Sequence, residues 1–277
     1  MGKLHGKVAI VTGAGRRKGL GEAIARKLAE EGANIVVSDI GEVKGKIAPE
    51  HGVGKVEEME QVATDIRAVG VDVATRTCDV LVEEDVKGLV EFTFDTFGGV
   101  DILVNNAGIG YLFGPLLETT QEEWDAVLGV NLRGVFFGIK HAAKIMIERG
   151  KGGRIINIGS QASKSAFKFT SAYTSSKHGL LGLTRNAALE LAEYNITVNL
   201  VCPNHVTTGL GAWQNEFLAA SRGLSVDDYL AQLKQRIPMG RVGLPEDTAN
   251  AVAFLALEES NYITGDSINV SGGEEYH

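Results

Sequence analysis

Two cysteines, five prolines and only 6% aromatic residues in a chain of 277 leave little material for several kinds of protein. Cys78 and Cys202 cannot build a disulfide framework, and each closes an apolar run, where a thiol behaves as a small buried hydrophobe. No apolar run approaches the ~18 residues that span a bilayer. The first residues, MGKLHGKVAIV, pass into a strand-like run with no signal-peptide pattern. The six histidines show no metal-ligand spacing, so no metal is expected. A formal net charge of -8 argues against nucleic-acid binding, which normally needs a basic surface. The expectation is a soluble, cytoplasmic protein without nucleic-acid or membrane partners.

What is present is ordinary globular material: 44% hydrophobic and 22% charged residues, with glycine high at 35. This length allows one large domain or two small ones and can bury a sizeable core. Short β-branched runs alternate with helical periodicity along the whole chain. Strands are expected at 7–12, 34–39, 71–79, 101–105, 153–158, 196–201 and 267–270. Helices are expected at 22–31, 57–68, 83–97, 122–148 (broken near Gly129 and Gly134), 171–194 and 245–257. This alternation predicts an α/β fold: a Rossmann-like, doubly wound parallel sheet of about seven strands, helices on both faces, in one domain over 1–277. Two segments are too long for passive connections, a loop at 41–56 and a lid-like insertion at 207–236.

Between the first strand and first helix lies TGAGRRKGLG, residues 12–21. Glycines there let backbone N–H groups approach a pyrophosphate at a helix N-terminus. Asp39 ends the second strand eighteen residues beyond Gly21, where a carboxylate can accept from an adenosine ribose and repel a 2′-phosphate. Arg16, Arg17 and Lys18 pull the other way, toward a 2′-phosphate. A strand-end acid is fixed in place while loop cations are mobile, so NAD is favoured over NADP.

A second motif lies in Ser160–Lys177, SQASKSAFKFTSAYTSSK. Tyr173 and Lys177 are four residues apart and share one face of a helix. An ammonium beside a phenol favours the phenolate, so Lys177 is expected to pull Tyr173 below its reference pKa of ~10. Such a phenol can exchange a proton with an alcohol or ketone oxygen.

These stretches, with CDV (78–80), NNAG (105–108), NLRG (131–134), VNLVCPN (198–204) and ITGDSINVSGG (263–273), make the chain resemble the classical short-chain dehydrogenase/reductase family over its length. The resemblance implies that Tyr173 is the general acid/base, with Lys177 tuning it and binding the nicotinamide ribose. It implies that Ser160 holds the substrate oxygen and that Asn131 fixes a water linking Lys177 to solvent. For the cofactor it implies contacts from Gly13, Arg16, Lys18, Gly19, Leu20 and Asp39, from Asp79 and Val80 at the adenine, from Asn106, Ala107 and Gly108, and from Val206 and Thr208 at the carboxamide. The chain departs from the family pattern in two extra residues in the glycine loop, in Asn204 after Pro203, and in Ser271.

The expected reaction interconverts a secondary alcohol, cyclic or sugar-like, and its ketone. Ser160, Gln161, Phe167, Phe169 and Trp213 are expected to line the substrate pocket, with Phe217 nearby. Apolar positions on the helices at 122–148 and 171–194 match surfaces that join the family's subunits into tetramers, so a homotetramer is expected. A nucleotide-sugar-type epimerase or dehydratase and a non-catalytic dinucleotide sensor stay open as alternatives.

Overall fold

In the computed structural model, residues 2–42 and 53–276 are described; most of the loop expected at 41–56 lies outside them. Strands β1 (Val8–Thr12), β2 (Asn34–Asp39), β3 (Val73–Thr77), β4 (Ile102–Asn105), β5 (Gly153–Ile158), β6 (Ile196–Pro203) and β7 (Ser267–Val270) form one sheet in the order β3-β2-β1-β4-β5-β6-β7. Every pairing is parallel. β1 and β6 are buried along their whole length, which is why they read as continuous apolar runs.

Successive side chains of each strand feed opposite faces. Ala9, Val11, Ile35 and Val37 pack with Ile24 and Leu28 of α1 (Leu20–Glu30), Met59 and Val62 of α2 (Val56–Arg67), and Val252 and Leu255 of α9 (Pro245–Ala256). Ile10, Val36, Leu103 and Ile155 pack with Leu89 of α3 (Glu83–Phe97), Ile139 and Met146 of α5 (Val135–Arg149), and Leu180 of α6 (Ser171–Leu191). Chain order reverses between β1 and β4, and a crevice opens there beyond the strands' C-terminal ends.

Three details differ from the sequence expectation. The long helix at 122–148 is α4 (Gln121–Leu128) and α5 joined by a π-helical turn, Gly129–Gly134, rather than by a break. The insertion at 207–236 is two helices, α7 (Gly209–Ser221) and α8 (Val226–Arg236). Ala219, Tyr229, Leu233 and Ile237 give these helices a small core of their own. The strand expected at 71–79 is shorter, because Cys78 and Asp79 turn into the crevice. No described helix is long and apolar enough to cross a membrane.

A buried polar chain ties the elements that carry the site. Asn105 Nδ2 at the end of β4 donates to Asn157 Oδ1 of β5 at 2.8 Å, and Asn157 Nδ2 donates to Thr184 Oγ1 of α6 at 3.0 Å. Asn157→Leu would leave the buried Asn105 amide without its partner, worth about 1–3 kcal/mol, while Thr184 Oγ1 keeps its bond to the Leu180 carbonyl at 2.8 Å. Urea unfolding is expected to show a loss of about 2 kcal/mol; a loss under about 0.5 kcal/mol would show that the polar chain is not structural.

Candidate active site

At the crevice the backbone comes first. Gly13 has φ 64°, and a Cβ there would lie 2.7 Å from Ala107 Cα. A Cβ on Gly21 would meet the Gly13 carbonyl at 2.4 Å, so only glycine lets loop and helix close this tightly. Asn106 staples the turn to β4: its Nδ2 donates to the carbonyls of Thr12 and Gly13, both at 2.9 Å. Ala107 N donates to Thr12 Oγ1 at 3.1 Å. Helix α1 begins after Gly19 with no side-chain cap, which leaves its first N–H groups facing the crevice. Such a terminus suits a phosphate.

Asp39 lies at the far end. Its Oδ2 accepts from Gly15 N at 2.9 Å and its Oδ1 from Ile40 N at 2.8 Å. Burial pushes its carboxyl above the usual range, with these bonds and Arg16 opposing the shift. Arg16 reaches across to α7, where a Cβ on Gly209 would meet its Nη2 at 2.8 Å. Arg17 turns outward to Asp65 at 3.1 Å. Within this loop Lys18 is left-handed, φ 56°, and its N donates to Glu22 at 2.5 Å.

One cavity of about 730 Å³ runs from Asp39 to Tyr173. It is lined by Gly13, Arg16, Lys18, Gly19, Leu20, Asp39, Asp79, Val80, Asn106, Ala107, Gly108, Ser160, Tyr173, Lys177, Val206 and Thr208. The glycine cradle, the uncapped helix and the carboxylate at the end of β2 fit a dinucleotide. Asp79 Oδ1 is partly committed to Leu81 N at 3.0 Å, and Thr208 Oγ1 caps α7 by accepting from Gly211 N at 3.1 Å.

The catalytic candidates meet at the other end. Tyr173 and Ser160 line the same end of the cavity, and the Ser160 hydroxyl accepts from Ala162 N at 3.1 Å. Lys177 Nζ donates to the Ile158 carbonyl at 2.8 Å and lies 5.7 Å from the centre of the Tyr173 ring. The π-helical turn aims Asn131 inward: its Oδ1 accepts from Ile109 N and its Nδ2 donates to Ile109 O, both at 2.8 Å, with a further bond to Ser176 Oγ at 3.2 Å.

The expected depression of the phenol pKa is not what this geometry produces. Burial pushes the Tyr173 phenol up, only partly offset by the Ser160 hydroxyl. The same burial pushes Lys177 down to about 8. A dry site penalises every charge, and here that outweighs the attraction between the pair.

The substrate end also differs from expectation. Gln161 is turned away, its Nε2 donating to Glu275 Oε2 at 3.3 Å, and Phe167 is 40% exposed. Phe169 and Trp213 do join a ring cluster, together with Tyr111, Phe113 and Phe217. Tyr111 and Phe113 escaped the sequence reading; the signal was two aromatics within five residues after NNAG. The tail explains two departures. Ser271 Oγ accepts from Glu275 N at 3.2 Å, and Asn204 Nδ2 donates to Glu274. Half-buried His205 sits 3.9 Å from Glu274 and belongs to that tail contact.

Lys177 makes stability depend on pH. Between about 8 and its ordinary value of 10.5, the unfolded chain holds a proton on Lys177 that the folded chain does not. Stability therefore rises with pH across that window. Wild type is expected to gain about 3 kcal/mol relative to Lys177→Met between pH 8 and pH 10.5 in denaturant titrations. A flat difference would show that the ammonium is not desolvated.

A family model described as enoyl-(acyl carrier protein) reductase matches residues 13–275. A short-chain dehydrogenase/reductase of Armillaria gallica is 37% identical over 269 residues, covering 97% of this chain and 96% of its own. (+)-Borneol dehydrogenase 2 of Salvia officinalis is 39% identical over 276 residues, covering 98% of this chain and 90% of its own. The crystal structure of carveol dehydrogenase from Mycobacterium avium in complex with NAD has a TM-score of 0.92 at 31% identity and covers 99% of both chains. Sequence and fold agree over nearly the whole length, and on that ground the chain belongs to the classical short-chain dehydrogenase/reductase family.

Proposed function

We propose that this protein is an NAD-dependent oxidoreductase that interconverts a secondary alcohol and its ketone. The observation that carries the reading is the convergence of Ser160, Tyr173 and a buried, anchored Lys177 in the same cavity as the glycine turn and Asp39. NAD bound in that cavity would supply the hydride acceptor and a positive ring charge that favours phenolate. Ser160 donates a hydrogen bond to the substrate oxygen, a preorganised contact that strengthens as charge develops there. Tyr173 takes the hydroxyl proton in oxidation and returns it in reduction. Lys177, held at the Ile158 carbonyl, steadies the phenolate and is placed to meet the nicotinamide ribose. Asn131 holds the Ile109 backbone and a water leading from Lys177 to solvent; the first part of that role is its pair of 2.8 Å bonds. Asp39 sets the preference for NAD over NADP by repelling a 2′-phosphate.

Assembly as a homotetramer is part of the proposal. Phe136 on α5 and Leu189 on α6 are 45% and 82% exposed, as positions covered by another subunit would be. Light scattering at micromolar concentration is expected to give the tetramer mass; a monomer would contradict it. Cytoplasmic location fits the two free, buried thiols, Cys78 and Cys202.

Absorbance of reduced nicotinamide with a panel of secondary alcohols tests the activity. Net reduced cofactor is expected with wild type, falling at least about a hundredfold in Tyr173→Phe. Bound NAD without net reduction would instead favour an epimerase or dehydratase, and no turnover with any alcohol or ketone a sensor. Asp39→Ala is expected to narrow the NAD over NADP preference by about tenfold, roughly 1.4 kcal/mol; an unchanged ratio would remove Asp39 from cofactor choice.

A further inference from the structure

Five aromatic side chains from three separate segments form one cluster that meets Tyr173 through Phe113, in a chain with few aromatics. Phe113 follows β4 and lies edge-on to Tyr173, 5.9 Å between ring centres. It also meets Trp213 at 5.7 Å and Phe217 at 5.8 Å. Trp213 and Phe217 are four residues apart on α7, which puts them on one face, where they stack at 5.6 Å and 18°. Tyr111 stands at right angles to Trp213, 6.5 Å away. Phe169 meets Phe217 at 6.2 Å.

Phe169 adds a second kind of observation. Its φ is 71°, a left-handed backbone that a bulky residue rarely adopts. Its carbonyl accepts from Gly114 N at 2.9 Å, so the strained turn is clamped to the segment that carries Tyr111 and Phe113. Backbone strain of this kind gathers at ligand clamps, because the surroundings must hold it in place.

Several polar side chains of the flanking segments are engaged. Gln214 Nε2 donates to the Gly110 carbonyl at 3.0 Å. Lys164 Nζ donates to the Ser267 carbonyl at 2.7 Å, and the Arg222 guanidinium lies 5.1 Å over the Tyr229 ring. Beside Ser160 and Tyr173, which take the reacting oxygen, the cluster presents mainly ring faces and ring edges, with the Tyr111 hydroxyl and the Trp213 indole N–H as its own polar atoms. A polyol placed there would bury hydroxyls without partners, whereas an alicyclic hydrocarbon would exchange water for aromatic contact.

Resting on the dehydrogenase reading above, we propose that Phe113, Trp213, Phe217 and Phe169 form a specificity box that selects an apolar, ring-shaped secondary alcohol or its ketone. The box discriminates against polyols and other extended polar substrates. Phe113 is the residue that couples α7 to the reacting phenol, since it touches Tyr173, Trp213 and Phe217 together.

The test compares kcat/KM for 2-decalol and xylitol with NAD, in wild type, Phe113→Ala and Trp213→Ala. The bicyclic alcohol is expected to lead by about a hundredfold or more. Both variants are expected to raise its KM about tenfold with a smaller change in kcat, and to leave NAD titration unchanged. A 2-decalol-dependent shift in Trp213 fluorescence in a Trp124→Phe background gives a binding readout independent of turnover. Preference for xylitol, or variants with wild-type KM for the bicyclic alcohol, would overturn the box while leaving the dehydrogenase reading intact. Failure of every secondary alcohol and ketone to turn over NAD or its reduced form would defeat that reading, and the box with it.

Discussion

A lysine ammonium buried at the end of a parallel sheet constrains the whole site. Lys177 finds its acceptor in the Ile158 carbonyl, the last residue of β5, and this bond sets where α6 lies along the strand. One helical turn back, Tyr173 then falls beside Ser160, two residues beyond that same carbonyl. Burial raises the cost of charge on both members of the pair, pushing the phenol up and the lysine down to about 8. The site therefore holds a neutral phenol and a lightly held lysine proton, an arrangement ready to exchange one proton with a bound oxygen.

The other end of the cavity works by leaving backbone unsatisfied. Helix α1 has no side-chain cap, and its glycine approach is packed so tightly that any Cβ on Gly13 or Gly21 would collide with backbone. Asn106 holds this turn against the end of β4, which ties the glycine turn to the segment that leads on to Phe113. The buried chain from Asn105 through Asn157 to Thr184 continues the linkage to α6. Directional bonds in a dry interior can hold a site to such tolerance because no water competes for them.

Around this frame the substrate side is assembled from distant pieces. The aromatic segment after β4, the strained turn at Phe169 and helix α7 meet only in the folded chain. The tail joins in: Glu275 accepts from Gln161, and Glu274 pairs with Arg236 of α8 at 2.5 Å. Helix α8 and the segment following Ser160 are thus braced by the same few residues.

The alternation of strands and helices was legible because both-face burial writes continuous β-branched runs into the sequence, and the glycine turn and the Tyr173/Lys177 spacing because each is local. Asp39 was legible as the last residue of a strand. The rest required tertiary structure. The π-helical turn at Asn131 looked like a helix broken by two glycines, since the pattern shows where regularity ends but not how the backbone continues. The 207–236 segment looked like a loop, because α7 and α8 bury themselves mainly against each other. Gln161 and Phe167 were expected at the substrate by nearness in sequence to Ser160, yet Glu275 captures one and solvent the other, while Tyr111 and Phe113 arrive from another strand. The sign of the Tyr173 shift also belonged to the fold: spacing supplies the neighbouring charge, but only packing decides how much water is removed from both groups.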